Sequence, residues 1–124
     1  MNLRAVEIKA FVPAKDFSLA KQFYQDLGFH LASDGGGVAY FHIGDAAFLL
    51  QDHFDEAGAR QLTMHLLVED VDAWRRKVDD AGLVATYAVH GVAVSEIVHQ
   101  PWRMRDFTLI DPSGVCWRIA QNTD

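Results

Sequence analysis

Asp16-Phe17-Ser18-Leu19-Ala20-Lys21-Gln22-Phe23-Tyr24-Gln25-Asp26-Leu27-Gly28 decides the fold, because its pattern returns later in the same chain. Phe17, Ala20, Tyr24 and Leu27 share one helical face, Asp16 stands where an N-cap carboxylate accepts free amide protons, and Gly28 ends the helix. An offset of 54 residues carries Asp16 to Asp70, Asp26 to Asp80 and Gly28 to Gly82. In the second copy Val71, Trp74, Val78 and Ala81 make the apolar stripe. A second offset, of 70, carries Gly44 to Gly114 and Gln51 to Gln121. These identities fall at the punctuation of the chain, so a duplicated βαβββ unit accounts for them better than chance does.

The flanking residues supply the strands. Ala5–Ala14 alternates, with Val6, Ile8, Ala10 and Val12 on one face and Glu7, Lys9 and Phe11 on the other. Phe29–Ser33, Val38–His42 and Ala46–Gln51 follow, separated by the turns Asp34-Gly35-Gly36-Gly37 and Gly44-Asp45. His53–Arg60 is polar and broken by Gly58, which predicts a linker. Beyond it Leu62–Val68, Leu83–Val89, Arg105–Ile110 and Val115–Ala120 read as strands, with Asp111-Pro112-Ser113-Gly114 as a turn. The expected fold is α+β: two tandem βαβββ modules forming a curved mixed sheet around a cleft, helices on the convex side. One domain covers 1–124, with module one at about 4–52, a linker at 53–61 and module two at about 62–121.

Composition narrows the function classes. Of 124 residues, 50% are hydrophobic and 11% aromatic, the profile of a globular chain and not of a disordered one. Seventeen acidic against eleven basic side chains leave a net charge of −6. A nucleic-acid binder needs a basic surface to displace counterions, so nucleic acid is not the expected partner. The apolar runs are too short to span a bilayer, and Met1-Asn2-Leu3-Arg4 does not read as the start of a secretory signal. A single cysteine, Cys116, excludes an intramolecular disulfide. Together these features lead us to expect a cytoplasmic protein with no membrane partner.

Several motifs are similar to those of the vicinal oxygen chelate superfamily, which groups glyoxalases, extradiol dioxygenases, fosfomycin resistance proteins and bleomycin resistance proteins. They are Val12-Pro13-Ala14-Lys15-Asp16 with Phe23-Tyr24-Gln25-Asp26-Leu27-Gly28-Phe29, then Val68-Glu69-Asp70-Val71-Asp72 and Asp111-Pro112-Ser113-Gly114. The most discriminating stretch, Gln100-Pro101-Trp102-Arg103-Met104-Arg105-Asp106-Phe107 through Asp111-Pro112, resembles a segment of the bleomycin resistance branch. Arg103 departs from it, standing where that branch usually has Gly.

The resemblance implies a divalent metal in the superfamily's enzymes, held by His, Glu or Gln on the first, fourth, fifth and eighth strands. The matching positions here are Lys9, Phe48, Thr63 and Arg118, which are no ligand set for a hard or borderline cation. The site therefore reads as vacant and no cofactor is expected. An alternative is a metal-dependent glyoxalase- or dioxygenase-like enzyme: His65 shares a strand face with Thr63, and Glu7 with Lys9, so a shifted register would pair these donors. His65 is otherwise a hydrogen-bonded residue of the cleft or core. His30, His42, His53, His90 and His99 fall at strand ends or in loops, without ligand spacing.

No other catalytic constellation stands out. Cys116 has no activating neighbour in sequence and reads as a small buried apolar residue. Ser18, Ser33, Ser95 and Ser113 lack a nucleophile-elbow context, and Gly35-Gly36-Gly37 precedes no helix.

Alternation points Phe11, Phe48, Leu50, Thr63, His65 and Ala120 into the cleft with Glu7, Lys9 and Arg118. That is an apolar, aromatic pocket with a few placed charges, suited to a small molecule. Trp102 is either an exposed stacking residue, as the resemblance implies, or a loop residue packed back on the sheet. Lys9 and Arg118 either pair with Glu7, as in a Glu7–Arg118 bridge, or stay free for an anionic ligand. The resemblance implies a metal-independent protein that sequesters a planar aromatic ligand, possible ligands including a bleomycin-type antibiotic. It also implies a homodimer with exchanged strands and ligand crevices at the interface. A domain that only dimerises or senses a metabolite is the third reading.

Overall fold

An aspartate caps the long helix of each module, as the repeat predicts. In the computed structural model, which describes residues 1–124, Asp16 Oδ1 accepts the Leu19 amide at 3.1 Å and Asp70 Oδ1 accepts that of Ala73 at 3.0 Å. Helix α1 (Phe17–Leu27) buries Ala20, Phe23, Tyr24 and Leu27; helix α3 (Val71–Asp80) buries Val71 and Val78. Gly28 closes α1 at φ +121°, a conformation that L side chains rarely adopt.

The first module contains β1 (Phe11–Pro13), β2 (His30–Gly35), β3 (Val38–Ile43) and β4 (Ala46–Gln51), ordered β1-β4-β3-β2. The second contains β5 (Thr63–Leu67), β6 (Ala93–Val94), β7 (Val98–Gln100), β8 (Met104–Ile110) and β9 (Cys116–Asn122), ordered β5-β9-β8-β6 with β7 also on β8. In each sheet the strand before the helix pairs in parallel with the last strand and hairpins complete the rest. The α+β duplication is thus present, with each module forming its own mixed sheet. No helix is long and apolar enough to cross a membrane.

Both sheets bury one face in the same core. Phe48 of β4 lies 5.1 Å from Trp117 of β9 and 4.8 Å from Tyr24, measured between ring centroids. The Tyr24 hydroxyl donates to Asp111 Oδ2 and accepts from Trp117 Nε1 at 2.8 Å. Asp111 Oδ1 in turn accepts the amides of Ser113 and Val115, both at 2.9 Å. Tyr87 adds a second tie between modules, donating to Asp26 Oδ2 at 2.6 Å. Since the buried faces meet in one core, the other faces of the two sheets point away from each other.

Three expected elements differ. Of Ala5–Ala14 only Phe11–Pro13 pairs as a strand, and Leu3, Val6 and Ile8 are 84%, 87% and 98% exposed. Alternation gives that segment a face, but nothing in the chain covers it. Leu83–Val89 is helical, as α4 (Leu83–Thr86) followed by a 3₁₀ turn at Ala88–His90. Its two buried residues, Leu83 and Tyr87, are four apart, which is helix spacing, and Gly82 at φ +65° turns the chain into it. The strand positions beside β8 fall instead to β6 and β7. The expected linker holds helix α2 (Glu56–Gln61), capped by Asp55, whose Ala59 is buried.

The largest correction concerns sidedness. Val12 opposes Leu50 in the first parallel pair, and Leu66 opposes Ile119 in the second. Val12 and Leu66 are 54 apart, so Leu50 and Ile119 are equivalent at an offset of 69. The glycine-based offset of 70 is one residue out because the two turns differ in length, so their glycines do not stand at equivalent positions. A one-residue slip inverts a strand's faces. Phe48 and Leu50 therefore lie in the core, at 1% and 0% exposure, and Leu49 is the residue equivalent to Arg118.

Burial pushes the Asp111 carboxyl above its ordinary pKa, while the Tyr24 hydrogen bond pulls it down. Tyr24→Phe removes that donor, and we expect a loss of about 1–3 kcal/mol in denaturant unfolding. It also raises the Asp111 pKa further. The deficit is thus larger at neutral pH, where the carboxylate is charged, than in acid, where Asp111 is protonated in both proteins.

Candidate functional site

The open face of module one is built on β3 and β4. Cross-strand pairs place Tyr40 beside Leu49 and His42 beside Ala47, with Phe11, 55% exposed, beyond Leu49 on β1. The chain before β1 lies over this face. Glu7 accepts the Tyr40 hydroxyl at 2.9 and 2.8 Å, and Lys9 Nζ lies 3.4 Å from Glu7 and 5.2 Å from the Tyr40 ring centre. The Tyr40 hydrogen bond holds the Glu7 carboxyl below its ordinary pKa, and Glu7 pushes the Tyr40 phenol up.

The open face of module two is built on β5, β9 and β8. A row runs across it from His65 through Arg118 to Thr108, with Thr63 and Leu67 on either side of His65. Thr63 and His65 are exposed and Arg118 is half-buried. Asp106 carries a carboxylate at only 2% exposure, held by Arg118 Nη1 at 3.1 Å and by Gln100 Nε2 at 3.0 Å. Ala120, between Asp106 and Leu67 in register, is fully buried. Gln100 thereby ties the β7–β8 hairpin to this face. At its tip Trp102 is 57% exposed. The tip backbone is braced by Arg103 N–H to Gln100 O at 3.3 Å and by Thr123 N–H to Arg103 O at 2.9 Å. Arg105, next along β8, makes a bidentate pair with Asp72 on α3 at 2.9 and 3.0 Å.

Several expectations change. The Glu7–Arg118 bridge is absent: Glu7 pairs with Lys9, and Arg118 pairs with Asp106. Neither expected cation is without a carboxylate, which weakens the case for an anionic ligand held by the two. Glu7 and His65 sit on faces that point apart, so one chain does not bring them together. Cys116 is half-buried on the open face of β9, not in the core, and burial pushes its thiol pKa up. Sequence reasoning missed the role of Asp106. Its position in the Gln100–Phe107 stretch was visible, but a carboxylate buried by a guanidinium two strand positions away needs the β8–β9 register.

A resident metal does not fit the implied positions. With the register corrected they present an ammonium (Lys9), an alkyl chain (Leu49), a hydroxyl (Thr63) and a guanidinium (Arg118). Nowhere do three His, Cys, Asp or Glu side chains gather in a metal-holding group.

The family model of the Glyoxalase/Bleomycin resistance protein/Dioxygenase superfamily matches residues 7–119. The chain belongs to this superfamily. No curated protein matches it. Among solved structures, the bleomycin resistance determinant encoded on transposon Tn5 superposes with a TM-score of 0.78 at 21% identity, covering 95% of this chain and 98% of that one. The bleomycin-binding protein of bleomycin-producing Streptomyces verticillus, solved with copper(II)-bleomycin, gives 0.76 at 20% identity, covering 98% and 99%. TnmS3, an antibiotic-binding protein from Streptomyces sp. CB03234, gives 0.73 at 26% identity, covering 97% and 99%.

Within this superfamily chain the hairpin tip carries a conformational cost. Arg103 is the one non-glycine residue at positive φ, +63°, where the resembled motif has Gly. A side chain there meets the following carbonyl oxygen, at a cost of roughly 1–2 kcal/mol. Gly relieves this but gives the unfolded chain more freedom. Arg103→Gly is expected to raise stability by about 0.5–1 kcal/mol, seen as a higher denaturant midpoint with an unchanged slope.

Proposed function

We propose that the chain is a metal-independent binding protein of the bleomycin resistance type, a homodimer that sequesters a planar aromatic small molecule without making or breaking a bond. The observation that carries this reading is Trp102: a large apolar ring, 57% exposed, on a tip held by three anchors. A rigid exposed indole suits stacking on a planar ring, worth about 0.5–1.5 kcal/mol beyond burial. The similarity to antibiotic-binding proteins supports the ligand class.

The two open faces support the dimer. Phe11, Glu7 and Lys9 belong to one, and Thr63, His65 and Arg118 to the other, with the Trp102 hairpin tied to that second face through Gln100. A two-fold axis that lays module one of one copy against module two of the next would join them into a closed crevice, twice over. The segment before β1 supplies a driving force. Leu3, Val6 and Ile8 are almost fully exposed, and covering each would contribute about 1.5–3 kcal/mol. Phe48 supports the crevice from beneath and does not touch ligand. In a crevice of this kind Glu7 of one copy would approach His65 of the other, the pair on which the enzyme alternative rests. Glu7, however, is already engaged by Tyr40 and Lys9.

Tryptophan fluorescence titrated with metal-free and copper-loaded bleomycin tests the ligand. Saturable quenching at micromolar concentration, weakened about tenfold or more by Trp102→Ala, is the expected result. Quenching that survives the substitution moves the ligand away from the hairpin; no quenching with either form removes bleomycin. Deleting residues 1–10 is expected to convert a dimer into a monomer in sedimentation velocity and to abolish binding. A truncated chain that remains dimeric would show that the segment is not part of the interface.

A further inference from the structure

His30 and His42 stand directly opposite each other on the antiparallel strands β2 and β3. Their ring centres are 5.5 Å apart, with planes tilted by 37°. Two imidazoles that each give one nitrogen to a tetrahedral zinc, at about 2.0–2.1 Å, hold their ring centres roughly 5 Å apart. The observed spacing is within a small side-chain rotation of that. β2 is the edge strand of its sheet and His30 is exposed, so its ring is free to make the adjustment.

The surroundings favour a cation. His42 lines a depression on the open face of module one that also holds Glu7, Tyr40 and Asp45. Lys9, the cation next to this depression, is paired with Glu7. Neutral imidazole nitrogen is a good donor for zinc and nickel and a poor one for magnesium or calcium. From this we infer that His30 and His42 form a two-histidine site for a borderline divalent transition-metal ion such as zinc or nickel, with water completing its coordination. The site lies on β2 and β3, away from the strands where the superfamily resemblance looks for a metal. It stands on its own, whatever the crevice binds.

Calorimetric titration of the full chain with zinc chloride and nickel chloride at about pH 7.5 tests it, alongside His30→Ala, His42→Ala and, as a control, His90→Ala. One ion per chain with a micromolar Kd is expected, weakened about tenfold or more in each of the first two variants and unchanged in the third. His30 is exposed and His42 half-buried on the open face, so the variants' unfolding midpoints in metal-free buffer should match the parent, which separates lost ligation from lost folding. A loss smaller than tenfold in either His30→Ala or His42→Ala, or no saturable uptake below millimolar metal, overturns the site.

Discussion

The hydrogen bonds at the Tyr24 hydroxyl hold the molecule in its arrangement. Tyr24 comes from the helix of module one, while Asp111 and Trp117 come from the last turn and strand of module two. All three are buried to 2% exposure or less. Unmatched polar groups at that depth would each cost about 1–3 kcal/mol, so the network is satisfied only when the modules are docked in one orientation. Phe41, Phe48 and Trp117 pack around it, and their shapes add to the specificity. The modules are therefore joined back to back, through the faces that carry the helices.

That docking dictates what the open faces can do. They diverge, so the polar groups on each are neutralised locally: Glu7 with Lys9 and Tyr40 on one, Asp106 with Arg118 and Gln100 on the other. The Asp106 cluster also serves as a foundation for the hairpin, since Gln100 immediately precedes its tip. The tip in turn holds Arg103 in a left-handed conformation and leaves Trp102 in solvent. Backbone strain of this kind persists where surrounding contacts over-determine it, and the Thr123 amide and the Gln100 carbonyl are those contacts.

Parts of this were legible residue by residue. Asp16, Asp70 and the glycines after each helix announced the duplication because capping is local: a side chain meets amides two or three residues on. The helix at Leu83–Thr86 was not legible, because an apolar run with Val, Thr and Tyr has strand propensity and its burial against α1 comes from elsewhere in the chain. Phe48 was misplaced for a different reason. Its face depends on the lengths of two turns, and counting from glycines of unlike turns carried a one-residue error that inverted a whole strand.

The sequence by itself determined the class, the repeat and the capped helices, since these depend on spacing and on contacts within a few residues. Only the tertiary structure decided which face of each strand is buried, that Arg118 belongs to Asp106 and not to Glu7, and that His30 meets His42. Both side-chain pairings join residues 12 positions apart along the chain, and their partners are chosen by strand register. Register is a property of two strands together, and docking of two modules together. Neither is encoded in the local run of residues that carries the side chain.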